Sequence, residues 1–157
     1  MIVRRAVKGD CAEIARLLKI IAMQHTEGRP DLFRPVVKYD AGGVAAMLAA
    51  GDPIFVAEEN VILGYLIAKI QDNEAHAVKK PYRCLYVDDL CVDPDCRGTG
   101  VGRMLFETAK EFARENGCYN IELNVWEFNG GARAFYERMG MSEQRRTMEL
   151  ILTGERR

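Results

Sequence analysis

The spacing of apolar side chains along the chain predicts an alternation of helices and strands. Over residues 101–115, apolar positions recur every three or four residues, which is typical of an amphipathic helix. Over residues 119–126, apolar and polar positions alternate, which is typical of a half-buried strand. Together these patterns predict helices at 10–24, 39–50, 101–115 and 129–139, and strands at 2–7, 54–58, 61–70, 82–92, 119–126 and 142–152.

The order of these elements, β-α-α-β-β-β-α-β-α-β, indicates the fold class. Consecutive strands in the middle of the chain imply antiparallel pairing, and the interspersed helices are expected to cover both faces of one sheet. We therefore expect an α+β fold, an α/β sandwich whose mixed, largely antiparallel central sheet has about six or seven strands. Asp10 is the expected N-cap of the first helix, with Glu13 as its capping-box partner. A length of 157 residues predicts a single domain, 1–157, at about 150 residues per domain.

The charge and the cysteine content indicate which classes of binding partner and which cellular compartment to expect. The 22 basic and 23 acidic residues give a net charge of −1, which argues against a nucleic-acid partner. No apolar run approaches the ~20 residues of a membrane-spanning helix, so no membrane partner is expected. The five cysteines have no metal-ligand spacing and the two histidines, His25 and His76, are isolated, so we expect no metal. Reduced thiols favour a cytoplasmic location.

A glycine-rich turn lies between a predicted strand and the start of the strongest predicted helix. Gly98, Gly100 and Gly102 lack Cβ atoms, so the backbone N–H groups of the turn can converge on one point. The helix N-terminus adds unpaired donors and a partial positive charge, and Arg97 and Arg103 add full charges. This combination predicts a site for a phosphate or pyrophosphate.

Two common phosphate-binding motifs do not match this turn. The Walker pattern requires Lys followed by Ser or Thr after its last glycine, but Arg103 follows Gly102. The dinucleotide pattern requires a third glycine three residues after Gly100, where Arg103 stands. A nucleotide-binding protein of another fold and a merely tight turn stay as alternatives.

Two motifs resemble the GNAT family of acetyl-CoA-dependent N-acetyltransferases. Residues 97–102, Arg-Gly-Thr-Gly-Val-Gly, fit the family's R/Q-x-x-G-x-G/A pattern. Residues 129–140, N-G-G-A-R-A-F-Y-E-R-M-G, resemble its later N-x-x-A-x-x-F-Y-x-x-x-G segment. The resemblance extends over essentially the whole chain and is sharpest over residues 86–141. Residues 86–90 and 126–129 also resemble the polyamine and diamine acetyltransferase branch.

The resemblance implies that acetyl-CoA is a co-substrate and that no metal takes part. The turn amides would hold the pyrophosphate, the end of the 82–92 strand would pair with the pantetheine arm, and Asn129 would contact the cofactor. The implied cofactor-binding residues are Leu90, Cys91, Val92, Arg97, Gly98, Thr99, Gly100, Val101, Gly102, Arg103, Asn129 and Tyr136.

Acetyl transfer to an amine requires three further groups. A base must deprotonate the amine, since an alkyl ammonium has a pKa near that of Lys, about 10.4. A fixed donor must face the carbonyl oxygen, and the backbone N–H of Leu90 is the expected donor. An acid helps the thiolate to leave, and the resemblance places Tyr136 near the sulfur in that role.

The base is expected to be Asp88. Adjacent strand residues point to opposite faces, so at most one of Asp88 and Asp89 is expected to face the amine. Asp88 shares the alternation of Leu90 and Val92, which favours it, and Glu122 on the next strand is a rival.

Acceptor specificity in this family comes from its N-terminal helices and mid-sheet loops, here 25–39 and 71–82. We expect Phe33, Asp89 and Glu122 to bind the acceptor, and acidic residues favour a small cationic amine. The alternatives are acetylation of a protein N-terminus or lysine, and an acetyl-CoA-binding module without turnover. Small family members often form homodimers, to which the last predicted strand can contribute.

Overall fold

The computed structural model describes residues 1–152, which form a five-stranded sheet between two layers of helices. None of the helices in this part of the chain is long and apolar enough to cross a membrane. The elements are β1 (Ile2–Arg5), α1 (Cys11–Gly28), α2 (Ala41–Ala49), β2 (Ile54–Glu58), β3 (Ile62–Asn73), β4 (Tyr82–Val92), α3 (Val101–Glu115), β5 (Asn120–Glu122) and α4 (Gly130–Arg138), with short 3-10 turns at Lys8–Asp10 and Pro94–Cys96.

The strands lie in the sheet in chain order. The pairs β1–β2, β2–β3 and β3–β4 are antiparallel, and β5 joins β4 in parallel. This arrangement confirms the α+β class and the mixed, largely antiparallel sheet. The expected count of six or seven strands is wrong, because the sheet described has five.

The segment 142–152, predicted as the last strand, makes no ladder with the described sheet. It runs past the end of α1 instead, where Arg29 Nη1 donates to Glu149 Oε1 at 2.6 Å. The side of β5 away from β4 therefore has no partner strand among residues 1–152. Alternation in the sequence identifies a segment suited to a strand, but it does not identify the partner that the strand requires.

Two apolar clusters fill the space between the sheet and its helices. On one face Ile14 and Leu17 of α1 pack with Tyr65 of β3. On the other face Phe106 of α3 packs with Leu85 of β4, and α4 covers the same cluster. Each fully buried large side chain contributes roughly 1.5–3 kcal/mol, so this packing holds the β4 backbone rigidly between the two layers.

Several local boundaries differ from those predicted. The carboxylate of Asp10 does not cap α1; it accepts from Val7 N at 2.8 Å and pairs with Arg4 at 2.7 Å. β3 continues to Asn73 instead of ending at Ile70, because its polar end pairs with the start of β4. Backbone pairing decides this boundary, and the side-chain pattern alone does not show it.

Candidate active site

β4 and β5 run side by side for only a short distance. The parallel ladder joins residues 84–86 to residues 120–122. Beyond it, residues 87–92 pair only with β3 within the described chain, and residues 123–126 lie outside any strand. The predicted strand over 119–126 is therefore right only near its start, at residues 120–122. The divergence leaves one side of the β4 backbone free to bond an extended ligand that carries amides of its own.

A β-bulge in β4 places two aspartates on one side of the sheet. Ile67 lies opposite Asp89, whereas the next residue, Ala68, lies opposite Val87. Asp88 is the extra residue, which interrupts the alternation of side chains. We expected adjacent aspartates to face opposite sides, and this is wrong because the bulge returns Asp89 to the side of Asp88.

The same bulge separates Asp88 from the residues whose alternation it was expected to share. Leu90 and Val92 pack against the cluster beneath α3. Asp88 bonds Tyr39, which packs against the cluster beneath α1 and α2. The charge of Asp89 raises the pKa of Tyr65, which belongs to the same cluster beneath α1 and α2. Asp88 therefore does not share a face with Leu90 and Val92, and only its contacts favour it as the base.

The carboxylate of Asp88 is held by two groups from the segment before α2. Lys38 Nζ donates to Oδ1 at 2.6 Å, and the Tyr39 hydroxyl donates to Oδ2 at 3.0 Å. The Asp88 side chain is 14% exposed, and that of Lys38 is 54% exposed. The ion pair thus lies at the mouth of the site, where solvent and substrates reach it. Fifty residues separate these partners, so local sequence patterns gave no sign of the contact.

The Asp89 side chain, like that of Asp88, is partly buried. Burial, and then the charge on Asp88, raise the pKa of Asp89 to about 7, although Lys38, Tyr65 and the Leu90 N–H oppose the rise. The Tyr65 side chain beside it is fully buried. A tyrosine inside an otherwise apolar strand is a sequence signal for a buried polar group, and Tyr65 was not among the predicted site residues.

The glycine-rich turn uses a backbone conformation that glycine favours. Gly98 and Gly100 have φ values of 78° and 95°, in the left-handed region that favours glycine, and Gly100 is the N-cap of α3. The first turn of α3 has no acidic residue. Arg97 and Arg103 are exposed and form no ion pair within residues 1–152. The turn therefore presents free N–H groups and two free cations to solvent.

Three of the predicted cofactor-binding residues have side chains that are buried or already hydrogen-bonded within the protein. The Cys91 thiol lies under α1, where it approaches Leu17 O at 3.7 Å, and burial raises its pKa to about 12. Val101 is 1% exposed within the core, and the Thr99 hydroxyl donates to Cys96 O at 2.6 Å. Only their backbone groups are available to a ligand in this arrangement.

Tyr136 and Asn129 lie in the second motif. The Tyr136 ring packs against Phe106 at 5.7 Å, and burial, together with the charge of Asp89, raises the pKa of its hydroxyl above the ordinary value. This hydroxyl therefore stays protonated at neutral pH and shares its surroundings with Asp89. Asn129 Oδ1 caps α4 by accepting from Ala132 N at 3.1 Å.

An aromatic cluster forms one wall near the end of α1. The Phe33 ring stacks on His25 at 4.9 Å and meets the edge of Trp126 at 5.2 Å. Trp126 in turn stacks on Phe128 at 6.1 Å. A Cβ atom at Gly28 would come within 2.3 Å of the Phe128 ring, so this wall requires glycine there. Phe33 was predicted for the acceptor site, whereas the two partners from the β5–α4 loop were noted only for a family resemblance.

Glu122 is bonded to neighbours outside the aspartate pair. Its Oε1 accepts from Asn120 at 3.0 Å and from Gln144 at 3.4 Å. Burial favours a higher pKa for Glu122, but hydrogen bonds from Asn120, Tyr82 and Gln144 lower it overall. A carboxylate stabilised in this way is a weak proton acceptor.

No group of three or more His, Cys, Asp or Glu residues within 1–152 is placed to hold a metal ion. The sequence comparisons agree with the architecture of the site. The model of the Acetyltransferase (GNAT) family matches residues 14–141. The chain therefore belongs to the GNAT family of N-acetyltransferases, whose members use acetyl-CoA as a co-substrate.

Relatives and solved structures extend the match to nearly the whole chain. Thialysine N-epsilon-acetyltransferase from Bos taurus is 26% identical over 91% of this chain and 85% of the relative. The uncharacterized N-acetyltransferase YhfO from Bacillus subtilis is 31% identical over 91% of each protein. A crystal structure of a variant of the BH1408 protein from Bacillus halodurans superimposes with a TM-score of 0.94, at 31% identity, covering 98% of this chain and 100% of that one.

Proposed function

We propose that this N-acetyltransferase moves the acetyl group of acetyl-CoA to a primary amine of a small cationic molecule. The observation that carries the proposal is the bulge in β4, which places two carboxylates on one face of the sheet, next to the gap between β4 and β5. Lys38 neutralises Asp88, so ionisation of Asp89 leaves the group with a net negative charge, which attracts a cation.

The donor fits the gap and the turn. The backbone amides of 98–103, with Arg97 and Arg103, would hold the pyrophosphate, because the turn is free of acidic groups and open to solvent. The free side of residues 87–92 would pair with the pantetheine arm, and Asn129 would bind from the start of α4. When bound, acetyl-CoA supplies the acetyl group as a thioester.

The acceptor amine would bind at the aspartates. Asp89 would contact the ammonium, with the Phe33 wall beside it. Asp88 would take the proton through a water molecule, since an alkyl ammonium with a pKa of about 10.4 must lose a proton before it can attack. Glu122 stays a secondary acceptor contact, because its carboxylate already accepts two hydrogen bonds.

Two groups would stabilise the change of charge during transfer. The Leu90 N–H, at the bulge, would donate to the carbonyl oxygen as negative charge develops there. The Tyr136 hydroxyl would protonate the leaving thiolate, a role suited to a phenol that burial keeps protonated.

A thermal unfolding experiment tests the donor site. Acetyl-CoA at about 100 times its Kd adds about 2.7 kcal/mol of stability, or roughly 5–10 °C for a domain of this size. We expect that rise with acetyl-CoA and none with ATP or NAD. A rise with the nucleotides and none with acetyl-CoA would contradict the proposal.

The acceptor class is tested by coenzyme A release with matched panels of amines. Support for a small amine comes from the aromatic wall and from a relative named for the ε-amine of thialysine. Small diamines and free basic amino acids should release coenzyme A faster than peptides with a free N-terminus or an internal lysine. Faster release with the peptides would favour protein acetylation, and binding without release for any amine would indicate a non-catalytic module.

We also propose that two copies pair through the C-terminal segment. Met148, Leu150 and Leu152 alternate along it and are 85%, 82% and 85% exposed. β5 offers a free edge in the described structure, and a second copy of the segment would supply the missing strand.

The five unpaired thiols favour a reducing compartment, which we propose to be the cytoplasm.

A further inference from the structure

The protein already carries a primary amine at its proposed acceptor site. Lys38 Nζ lies 2.6 Å from Asp88 Oδ1 and 5.1 Å from the centre of the Tyr39 ring. Its positive charge opposes the rise in the pKa of Asp89, and it adds to burial in lowering the pKa of His25. The ammonium therefore lies among the carboxylates and the aromatic wall that the proposed function assigns to a substrate amine.

Other lysine ion pairs in the described chain differ from this one. Lys110 pairs with Glu107 one helical turn away, at 3.0 Å, and Lys69 reaches Asp52 at 3.7 Å. The carboxylate partner in each of these pairs lies outside β4. Lys38 alone among these three bonds a carboxylate of the bulge, and its side chain is still 54% exposed.

We propose that Lys38 is an intramolecular acceptor, so that the protein acetylates its own Lys38. The proposal rests on the proposed function, because it uses the same donor and the same aspartates. The ammonium of Lys38 gives one proton to Asp88, and the neutral amine forms a bond to the acetyl carbonyl carbon. The carbon–sulfur bond of the thioester breaks and the thiolate takes a proton from Tyr136. The acetylated nitrogen then gives its second proton to the Tyr136 phenolate by way of water, and Asp88 releases the first proton to solvent. The products are Nε-acetyl-lysine, coenzyme A and one released proton.

Acetylation would change the site that performs it. An acetylated lysine has no charge, so the ion pair with Asp88 is lost and the carboxylate becomes free for an external amine. Before that, an external amine must displace Lys38 from Asp88. Lys38 thus acts as a built-in competitor until it is modified.

To test this proposal, purified protein is incubated with acetyl-CoA and no added amine. The modification is then measured by intact mass and located by peptide mapping. We expect one acetyl group on Lys38, formed at a first-order rate that does not depend on protein concentration. Lys38→Arg should abolish this modification, whereas Lys110→Arg, a matched surface substitution, should keep it. Tyr136→Phe and Asp88→Asn should both slow it by about tenfold or more, which separates catalysis from spontaneous acetylation.

The outcomes separate this inference from the proposed function. Absence of acetyl-Lys38, in protein that transfers acetyl groups to an added small amine, would overturn the inference alone. Acetylation spread over many lysines at a rate unchanged by Tyr136→Phe would also overturn it. Failure to modify Lys38 together with no coenzyme A release for any amine would overturn the proposed function itself.

Discussion

Replacing Asp89 with Asn should stabilise the fold at neutral and alkaline pH. The pKa of Asp89 is raised from 3.8 to about 7, first by burial and then by the charge on Asp88. At about 1.4 kcal/mol for each pKa unit, an ionised Asp89 costs about 4 kcal/mol. The amide of Asn keeps the shape without the charge but is itself buried, so we expect about 2 kcal/mol to be recovered. For a domain of this size, that is a rise in Tm of roughly 4–8 °C.

The pH dependence of this gain has a definite sign. Between about pH 4 and pH 7 the unfolded chain loses the Asp89 proton while the folded chain keeps it, so wild-type stability falls as pH rises. Above about pH 7 both states are ionised, and the cost stays constant. The advantage of Asp89→Asn should therefore grow between pH 4 and 7 and then level off.

Thermal unfolding followed by circular dichroism at pH 5 and pH 8 measures this difference. Asp72→Asn is the control, because the exposed Asp72 carboxylate pairs with Arg83, which lowers its pKa. That substitution should leave stability unchanged or slightly lower. A variant Asp89→Asn that is no more stable than wild type at pH 8, or whose advantage is the same at both pH values, would refute the burial of Asp89.

Three further predictions concern catalysis, donor binding and assembly. The kcat/KM of wild type should rise with pH through about 7 as Asp89 ionises, and a profile in which Asp89→Asn keeps that rise would contradict the assignment. Gly100→Ala should raise the KM for acetyl-CoA at least several-fold, because Ala strains the left-handed turn, while Gly9→Ala, in open space without positive φ, should not. Leu150→Glu should convert a dimer to a monomer in light scattering, and a wild-type protein that is already monomeric would exclude pairing through the C-terminal segment.

Much of the fold was predictable because its signals are local. The α3 pattern gave the bounds Val101–Glu115 correctly, and β4 was placed correctly at Tyr82–Val92. The sheet count failed at residues 142–152, where alternation is present but no strand pairs with it in the described chain. Pairing is a property of two segments, so one segment's pattern cannot decide it.

Some features of the site depend on consecutive residues, and others depend on contacts between residues that are distant in the chain. The turn at Gly98 and Gly100 follows from consecutive residues, and the structure gives it the expected backbone. The bulge at Asp88 depends on the register between β3 and β4, so simple alternation misassigned the faces of the two aspartates. The Lys38 contact joins residues that are distant in the chain, and only the folded structure brings them together.

In the proposed function, Tyr136 and the aspartates of the bulge transfer an acetyl group to an amine. The most direct test measures coenzyme A release from acetyl-CoA with the best small amine, comparing wild type with Tyr136→Phe and confirming that both bind acetyl-CoA by thermal shift. We predict that Tyr136→Phe keeps donor binding and loses about a hundredfold or more in kcat. Equal kcat in the two proteins would contradict the claim.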